Sequence, residues 1–430
     1  MRSATRTAAA AYWAAWADAL PMLLDRLPHQ AGQWVAQLIT VQSCEHDNPG
    51  APGELPPELK AAEESRRLLV AEGFAKCPTW QEIADRKAPP NLEPEDREPG
   101  EWGHGWQFFA SRAREQRFLD FELKPNLDES SQALLLSQGG PHAAQFLQAI
   151  PTAPQFQLKG PILPCLLRRR LRLPLPDGLA HCPAKTHGFK PRKTTPRVPL
   201  DLYGDHLSAC LATGRVQRRA NILEKVWAQV FREAGGTIVP NEQLCNTRCG
   251  VDPSDKRRVE FAVYNLPFFR GIPLLCDVTQ VSPLTQNGNP HPKASTRPGA
   301  SCDHAEKTKH SKYREAAENR GDVKLVTLAC EVGGRWSKAC VDWVRKLAKH
   351  KASSQPQHLQ RATEYAWSAR WWSLLSVTAQ RSVAVTLLDV DMNTALKPIA
   401  DFEPGNGEVL AGARYELGPQ VSRLPLRGGS

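Results

Sequence analysis

Arg258-Val259-Glu260-Phe261-Ala262-Val263-Tyr264, followed by Ile272-Pro273-Leu274-Leu275-Cys276-Asp277-Val278-Thr279-Gln280-Val281, is the passage on which the fold turns. In the first stretch Val259, Phe261 and Val263 alternate with Arg258, Glu260 and Ala262, the period of a half-buried strand. The second is a more continuous apolar run and predicts a central strand buried on both faces. Before them, residues 218–234 set Ile222, Leu223, Val226, Trp227, Val230 and Phe231 at helical spacing and stop at Gly235-Gly236. Residues 237–240 read as a short strand, 304–320 as a charged helix and 323–329 as a further strand. A helix over 337–349 turns Val341, Val344, Leu347 and Ala348 inward. The order helix, strand, strand, strand, helix, strand, helix predicts a small mixed sheet flanked by helices, in the α+β or α/β class.

Outward from this block the chain reads as more helix. Tyr12, Trp13, Trp16, Leu20, Leu23, Leu24 and Leu27 recur at three- and four-residue intervals over 8–27. Residues 48–58 and 88–100 are rich in Pro, Glu and Gly and read as linkers around a helix over 57–74. A short helical pattern covers 132–147, a basic leucine-rich helix 163–173, and a Pro/Lys/Arg-rich loop 185–199. The expected organisation is a mainly helical region over 1–150, extended rather than a compact enzyme domain, and a basic segment over 151–215. An α/β domain over 216–350, an aromatic helix over 351–400 and a poorly ordered tail over 401–430 follow.

The composition, 41% hydrophobic and 23% charged over 430 residues, is that of a globular chain, and 36 prolines imply long irregular connections. A net charge of +10 raises the prior for a polyanionic partner. The clustering says more, because Arg168, Arg169, Arg170 and Arg172, residues 185–197, and Lys307, Lys309 and Lys312 gather around one part of the sequence. A basic helix of this kind fits a phosphate backbone and equally fits a half-buried helix with solvated arginines. Eleven cysteines without an export signal point to a reducing, intracellular setting. No run of about 18 apolar residues predicts a membrane span.

Glu260 and Asp277 lie 17 residues apart (277 − 260 = 17) on consecutive strands, as a hairpin would set two carboxylates side by side. Such a pair can hold Mg²⁺, and a lysine from an adjacent helix, Lys309 or Lys312, can complete a site for phosphodiester hydrolysis. Two strand-edge carboxylates paired with Arg257 and Arg258 would give the same pattern. Glu224, on the helix before the strands, reads as an accessory carboxylate or as a surface residue pairing with Lys225 or Arg218. Cys245 and Cys249 have metal-like spacing but no second pair nearby. Trp367, Trp371 and Trp372 could stack on bases, although their helical spacing favours packing.

In order along the chain stand Arg218-Arg219-Ala220-Asn221, Gly235-Gly236 with Glu242, Arg257-Arg258-Val259-Glu260, Asp277-Val278-Thr279, and Ala305, Lys309 and Lys312-Tyr313. Together they resemble the restriction-like endonuclease of non-LTR, LINE-like retrotransposon polyproteins, with Glu331 to Ser337 similar to protist members. The resemblance implies a PD-(D/E)xK nuclease in which Glu260 and Asp277 hold Mg²⁺ and Lys309 assists, with Lys312 as its alternate. It makes Glu224, Arg219 and Glu242 accessory candidates, and Arg168, Arg169, Arg170, Arg172, Arg218 and Arg219 nucleic-acid-binding ones. The implied activity nicks DNA so that the freed 3′ hydroxyl primes reverse transcription. The implied partners are DNA, RNA and a polymerase joined in a longer polyprotein, in the nucleus. Residues 202–210 resemble the second half of a zinc knuckle, with Cys182, His206 and Cys210 as Zn²⁺ ligands and His187 as the candidate fourth. The chain departs from the family in having Val259-Glu260 where Pro-Asp is usual, and Ala184 where a second cysteine is expected. The longer Glu260 leaves a decayed nucleic-acid-binding module as the alternative. No polymerase palm motif is present.

Overall fold

The computed structural model describes residues 4–43, 55–87, 89, 105–175, 181–184, 198–318, 321–388 and 409. Residues 1–127 and 128–430 form two compact units. The first has helices α1 (Ala4–Arg26), α2 (Pro28–Ser43), α3 (Pro57–Ala71), α4 (Trp80–Ala84) and α5 (Trp106–Arg117). Instead of the extended segment expected here, these helices share a core of their own. Trp13 meets Phe74 and Trp106 edge-on at 5.6 and 5.7 Å, and Leu20, Leu38, Leu69 and Trp80 close around them. The Trp80 indole N–H donates to Glu63 at 2.6 Å, and Arg66 neutralises that buried carboxylate at 2.9 Å. Pro21 lies inside α1 rather than ending it.

The second unit begins with α6 (Glu129–Ser137), α7 (Gln145–Gln148), α8 (Ile162–Arg170), α9 (Asp205–Ala209) and α10 (Arg215–Glu233). Strands β1 (Thr237–Pro240), β2 (Phe261–Tyr264) and β3 (Leu274–Val281) follow. Next come α11 (Ala300–Lys312), α12 (Arg314–Glu318), β4 (Lys324–Glu331), α13 (Lys338–Ser353) and α14 (Gln357–Leu388). The result is a four-stranded mixed sheet in the order β1-β2-β3-β4, antiparallel except for the parallel β3–β4 pair. That parallel pair needs a crossover, and α11 with α12 supplies it.

Period-two geometry divides the sheet's side chains. Phe261, Val263, Leu274, Cys276, Val278, Val326 and Leu328 face the core made with α10, α13 and α14, where Trp227, Phe231, Trp343, Trp367, Trp371 and Trp372 are buried. Ala262, Leu275 and Leu325 face the other side with Tyr313 and Ala316. Buried on most sides from Thr363 to Leu387, α14 holds Trp367, Trp371 and Trp372 in the core, which leaves them no face for a base.

The helix expected over 132–147 is two, α6 and α7, with a turn between them, and two elements beside the acid cluster also depart from the sequence pattern. The strand expected over 258–264 starts at Phe261, and Val259 packs on the face opposite Phe261 because the chain bends at Glu260. The helix expected over 304–320 starts four residues earlier and breaks at Tyr313 (φ −117°, ψ 48°). Arg257 Nη1 takes the Lys312 carbonyl at 2.6 Å, and the Tyr313 hydroxyl donates to the Arg258 carbonyl at 2.8 Å. The strand entry thus draws the helix out of line.

Candidate active site and metal centre

The β2–β3 ladder ends at Phe261 opposite Cys276, so the next backbone donor on β3, Val278 N–H, needs another acceptor. Glu260 supplies it, its Oε2 accepting from Val278 N at 2.6 Å. The bend that takes Glu260 out of the strand therefore also swings its carboxylate over β3, beside Asp277. Asp277, 1% exposed, lies in the middle of a largely buried strand, on the face towards α11. A charge so placed must be paired, and Lys309 Nζ, one side chain from α11, forms an ion pair with Asp277 Oδ1.

Glu260, Asp277 and Lys309 are brought together. Burial first, and then the Asp277 charge, push the Glu260 carboxyl up to about 8, against the pull of Val278 N–H and Lys309. Glu224 joins electrostatically: burial and then Asp277 raise its carboxyl, with Lys225 opposing. Lys312 stands one step aside, its Nζ donating to the Tyr313 hydroxyl at 2.6 Å. The Tyr313 hydroxyl also touches Asp277, and burial and that carboxylate raise its pKa. Glu242 is buried elsewhere; its charge is felt at Tyr264. Pairing of the two carboxylates with Arg257 is not what forms, since Arg257 binds Asp255 and Glu315 at 2.6 and 2.9 Å and Arg258 is exposed.

Three residues around the site carry little sequence signal. Tyr313 enters the sequence reading only as the end of the Lys312-Tyr313 motif, with no role at the site. Thr327, the register partner of Asp277 on β4, holds a buried hydroxyl that has no hydrogen-bond partner among the described residues. Glu331 does more than begin a turn. Its buried carboxylate accepts from the backbone N–H groups of Ser301 and Cys302 and from the Ser137 hydroxyl, so it caps the helix that carries Lys309.

Cys182, His206 and Cys210 form a second cluster, their ligand atoms all within 4.8 Å of one another. The two sulfurs lie 3.9 Å apart, too far for a disulfide. A tetrahedral zinc with Zn–S of about 2.3 Å puts its sulfurs about 3.8 Å apart, so the spacing suits that ion. His206 Nδ1 is 2.9 Å from the Gln286 carbonyl, which makes Nδ1 the protonated nitrogen and leaves the lone pair on Nε2. Burial, and then Cys182, raise the Cys210 thiol, a pressure that a bound cation would relieve. His187 lies outside the described residues. Cys245 and Cys249 bond instead to Gln243 and to the Leu244 carbonyl.

The cluster is built by local caps. Asp201 accepts from the N–H groups of Tyr203, Asp205 and His206, all at 2.9 Å. These outweigh its burial and hold its carboxyl below the ordinary value. Gly204 has φ 76°, and a Cβ there would stand 2.5 Å from Leu387 Cδ2, so only glycine fits.

Two arginines of the basic run tie this segment in place. Arg169, 8% exposed, binds the Tyr203 carbonyl at 2.8 Å and Asp205 at 3.2 Å, and Arg172 binds Asp205 at 2.7 Å. Arg170 donates to the Gln138 carbonyl at 3.0 Å, and Arg168 to that of Pro174 at 2.8 Å. Arg219 is buried, tying the Ser208 and Gln280 carbonyls at 3.0 and 3.1 Å, while Arg218 stays exposed. Of the arginines expected at a nucleic-acid interface, Arg169 and Arg219 are therefore interior ties.

Among the described residues no helix is long and apolar enough to cross a membrane. No protein-family model and no curated protein matches the chain.

Proposed function

We propose that the second unit is a Mg²⁺-dependent DNA endonuclease of retrotransposon origin, with Glu260 and Asp277 as metal ligands and Lys309 as the assisting cation. The observation that carries the proposal is the convergence of Glu260, Asp277 and Lys309 at one point, where burial and then the Asp277 charge raise Glu260 to about 8. A structural role would be met more cheaply by apolar residues, since burying such groups costs more than it returns. Perturbed carboxylates of this kind favour a functional site. A divalent cation fits between them because it would replace the proton that Glu260 otherwise keeps; when bound, it would polarise the scissile phosphate and acidify a water. Lys309 has the charge to stabilise the phosphate as negative charge builds, once the cation takes over Asp277. Tyr313 lies against Asp277, and Glu331 holds the helix on which Lys309 rides.

By the same resemblance, the nick supplies a 3′ hydroxyl for reverse transcription by a polymerase in a longer polyprotein, with DNA and RNA as partners in the nucleus. Zn²⁺ is the ion that best suits Cys182, His206 and Cys210, in a structural role. A decayed, nucleic-acid-binding module is the second reading, favoured by the longer Glu260 and its retained proton. Conversion of supercoiled plasmid to the nicked circle distinguishes them. The nuclease reading expects nicking with Mg²⁺ that stops with EDTA; intact plasmid under both conditions favours the decayed module.

A further inference from the structure

The connection between β2 and β3, residues 265–273, has a feature that the acid cluster does not use. Phe269 (φ 49°, ψ 41°) and Arg270 (φ 64°, ψ 27°) are both left-handed, and Gly271 follows at φ 81°. Only the glycine is at ease there; a bulky aromatic in that region is an outlier that the surroundings must enforce. Phe268 does the enforcing, its ring packed edge-on at 5.6 Å from both Trp343 and His350. With Phe268 drawn in, the strained step throws Phe269 outward, where it rests tilted 6.1 Å from Trp343 and is 45% exposed.

The exposed ring is surrounded by positive charge. Lys324, at the start of β4, and Lys346, on the α13 stripe that carries Trp343 and His350, place their ammonium groups 5.6 and 5.7 Å from its centre. Arg270 is exposed beside it. A loop free to choose would bury such a ring or end in a polar residue. Here an aromatic ring is held half-exposed at a conformational cost, with two lysines from separate elements over it and exposed Arg270 next to it in the chain.

We propose that this connection binds single-stranded nucleic acid, with Phe269 stacking on one unpaired base while Arg270, Lys324 and Lys346 hold the neighbouring phosphates. A flat ring offers stacking to any base but only to one not already stacked in a duplex. Lysines around the plate suit phosphates on either side of that base. An acidic peptide would satisfy the cations and leave the ring without a flat partner. The inference stands on these residues alone and does not need the acid cluster to be active.

The test is fluorescence anisotropy of a labelled 15-nucleotide oligo-dT with the full chain in EDTA, over a series of salt concentrations. Phe269→Leu, which keeps apolar bulk and removes the flat ring, weakens binding roughly tenfold, while Phe269→Trp holds or improves it. Lys324→Ala with Lys346→Ala flattens the log–log salt slope by about 1.4, two phosphates at about 0.7 each. A duplex of the same length is insensitive to Phe269→Leu, and Asp277→Ala binds oligo-dT as the wild type does, which separates this result from any failure of the nuclease reading. Thermal melts of Phe269→Leu matching the wild type attribute the loss to the ring. Unchanged oligo-dT affinity in Phe269→Leu would overturn the proposal. Equal loss on the duplex, or polyglutamate competing as well as unlabelled oligo-dT, would do the same.

Discussion

The Glu260–Asp277–Lys309 group and the Cys182–His206–Cys210 group both bury ionisable side chains in the second unit, by opposite means. The first sits on the sheet, and its charges are held against one another: a lysine on one carboxylate and a raised pKa on the next. The second is built from caps and short loops, its sulfurs 3.9 Å apart and its histidine oriented by a backbone carbonyl. Oxygen donors beside an ion-paired lysine suit a hard ion that comes with a substrate, whereas sulfur and imidazole suit a softer ion that stays. Under the proposed reading one group serves chemistry and the other the fold, and substitutions can separate the two.

The largest separation is expected in rate. Lys309→Met should lower single-turnover nicking about 10²- to 10³-fold, the usual cost of losing one charge-stabilising group. Cys210→Ser should change it less than threefold at a temperature where the variant is folded. Comparable rate losses in both would erase the distinction. In stability the order reverses: Cys210→Ser should lose one equivalent of zinc, read by mass spectrometry of the native protein, and drop Tm by several degrees. A Tm that does not move on adding or chelating zinc would remove the structural-metal half of the comparison.

A smaller effect is expected from pH. The Glu260 carboxyl is raised in the folded protein, so its favourable contribution is complete below its unfolded value of 4.5 and is lost as pH rises towards about 8. Metal-free protein should therefore lose stability in denaturant titrations between about pH 5 and pH 8. Glu260→Gln should flatten that slope, and Mg²⁺ should oppose it. A slope identical in the wild type and Glu260→Gln would place the carboxyl outside the acid cluster. The smallest effect belongs to Glu331→Gln, which weakens the cap on α11 by about 1 kcal/mol. It should lower Tm by about 2–4 °C and slow nicking a few-fold; no change in either would leave Glu331 without its capping role.

How legible these features are in the sequence depends on how local their causes are. Asp277 stands out because it is the one acid in a continuous apolar run, and residues 237–240 form the strand their pattern predicts. The start of β2 is not legible, because the bend at Glu260 is set by Val278 N–H, 18 residues away. The break at Tyr313 is hidden for the same reason, since the Arg257 and Arg258 contacts that cause it lie 55 residues off. The arginine run shows a pattern's limit most plainly. Nothing in Arg168-Arg169-Arg170-Leu171-Arg172 tells that Asp205 and the carbonyls of Tyr203 and Gln138 will take three of the four. Cys182 and Cys210 are placed by a resemblance, whereas the 3.9 Å between their sulfurs comes only from the fold.

If Glu260, Asp277 and Lys309 together cleave DNA, plasmid nicking in Mg²⁺ separates the wild type from Asp277→Ala. A nicked circle is expected from the wild type and none above background from Asp277→Ala, with both proteins folded by circular dichroism. Equal nicking by the two, or none by either, would contradict it.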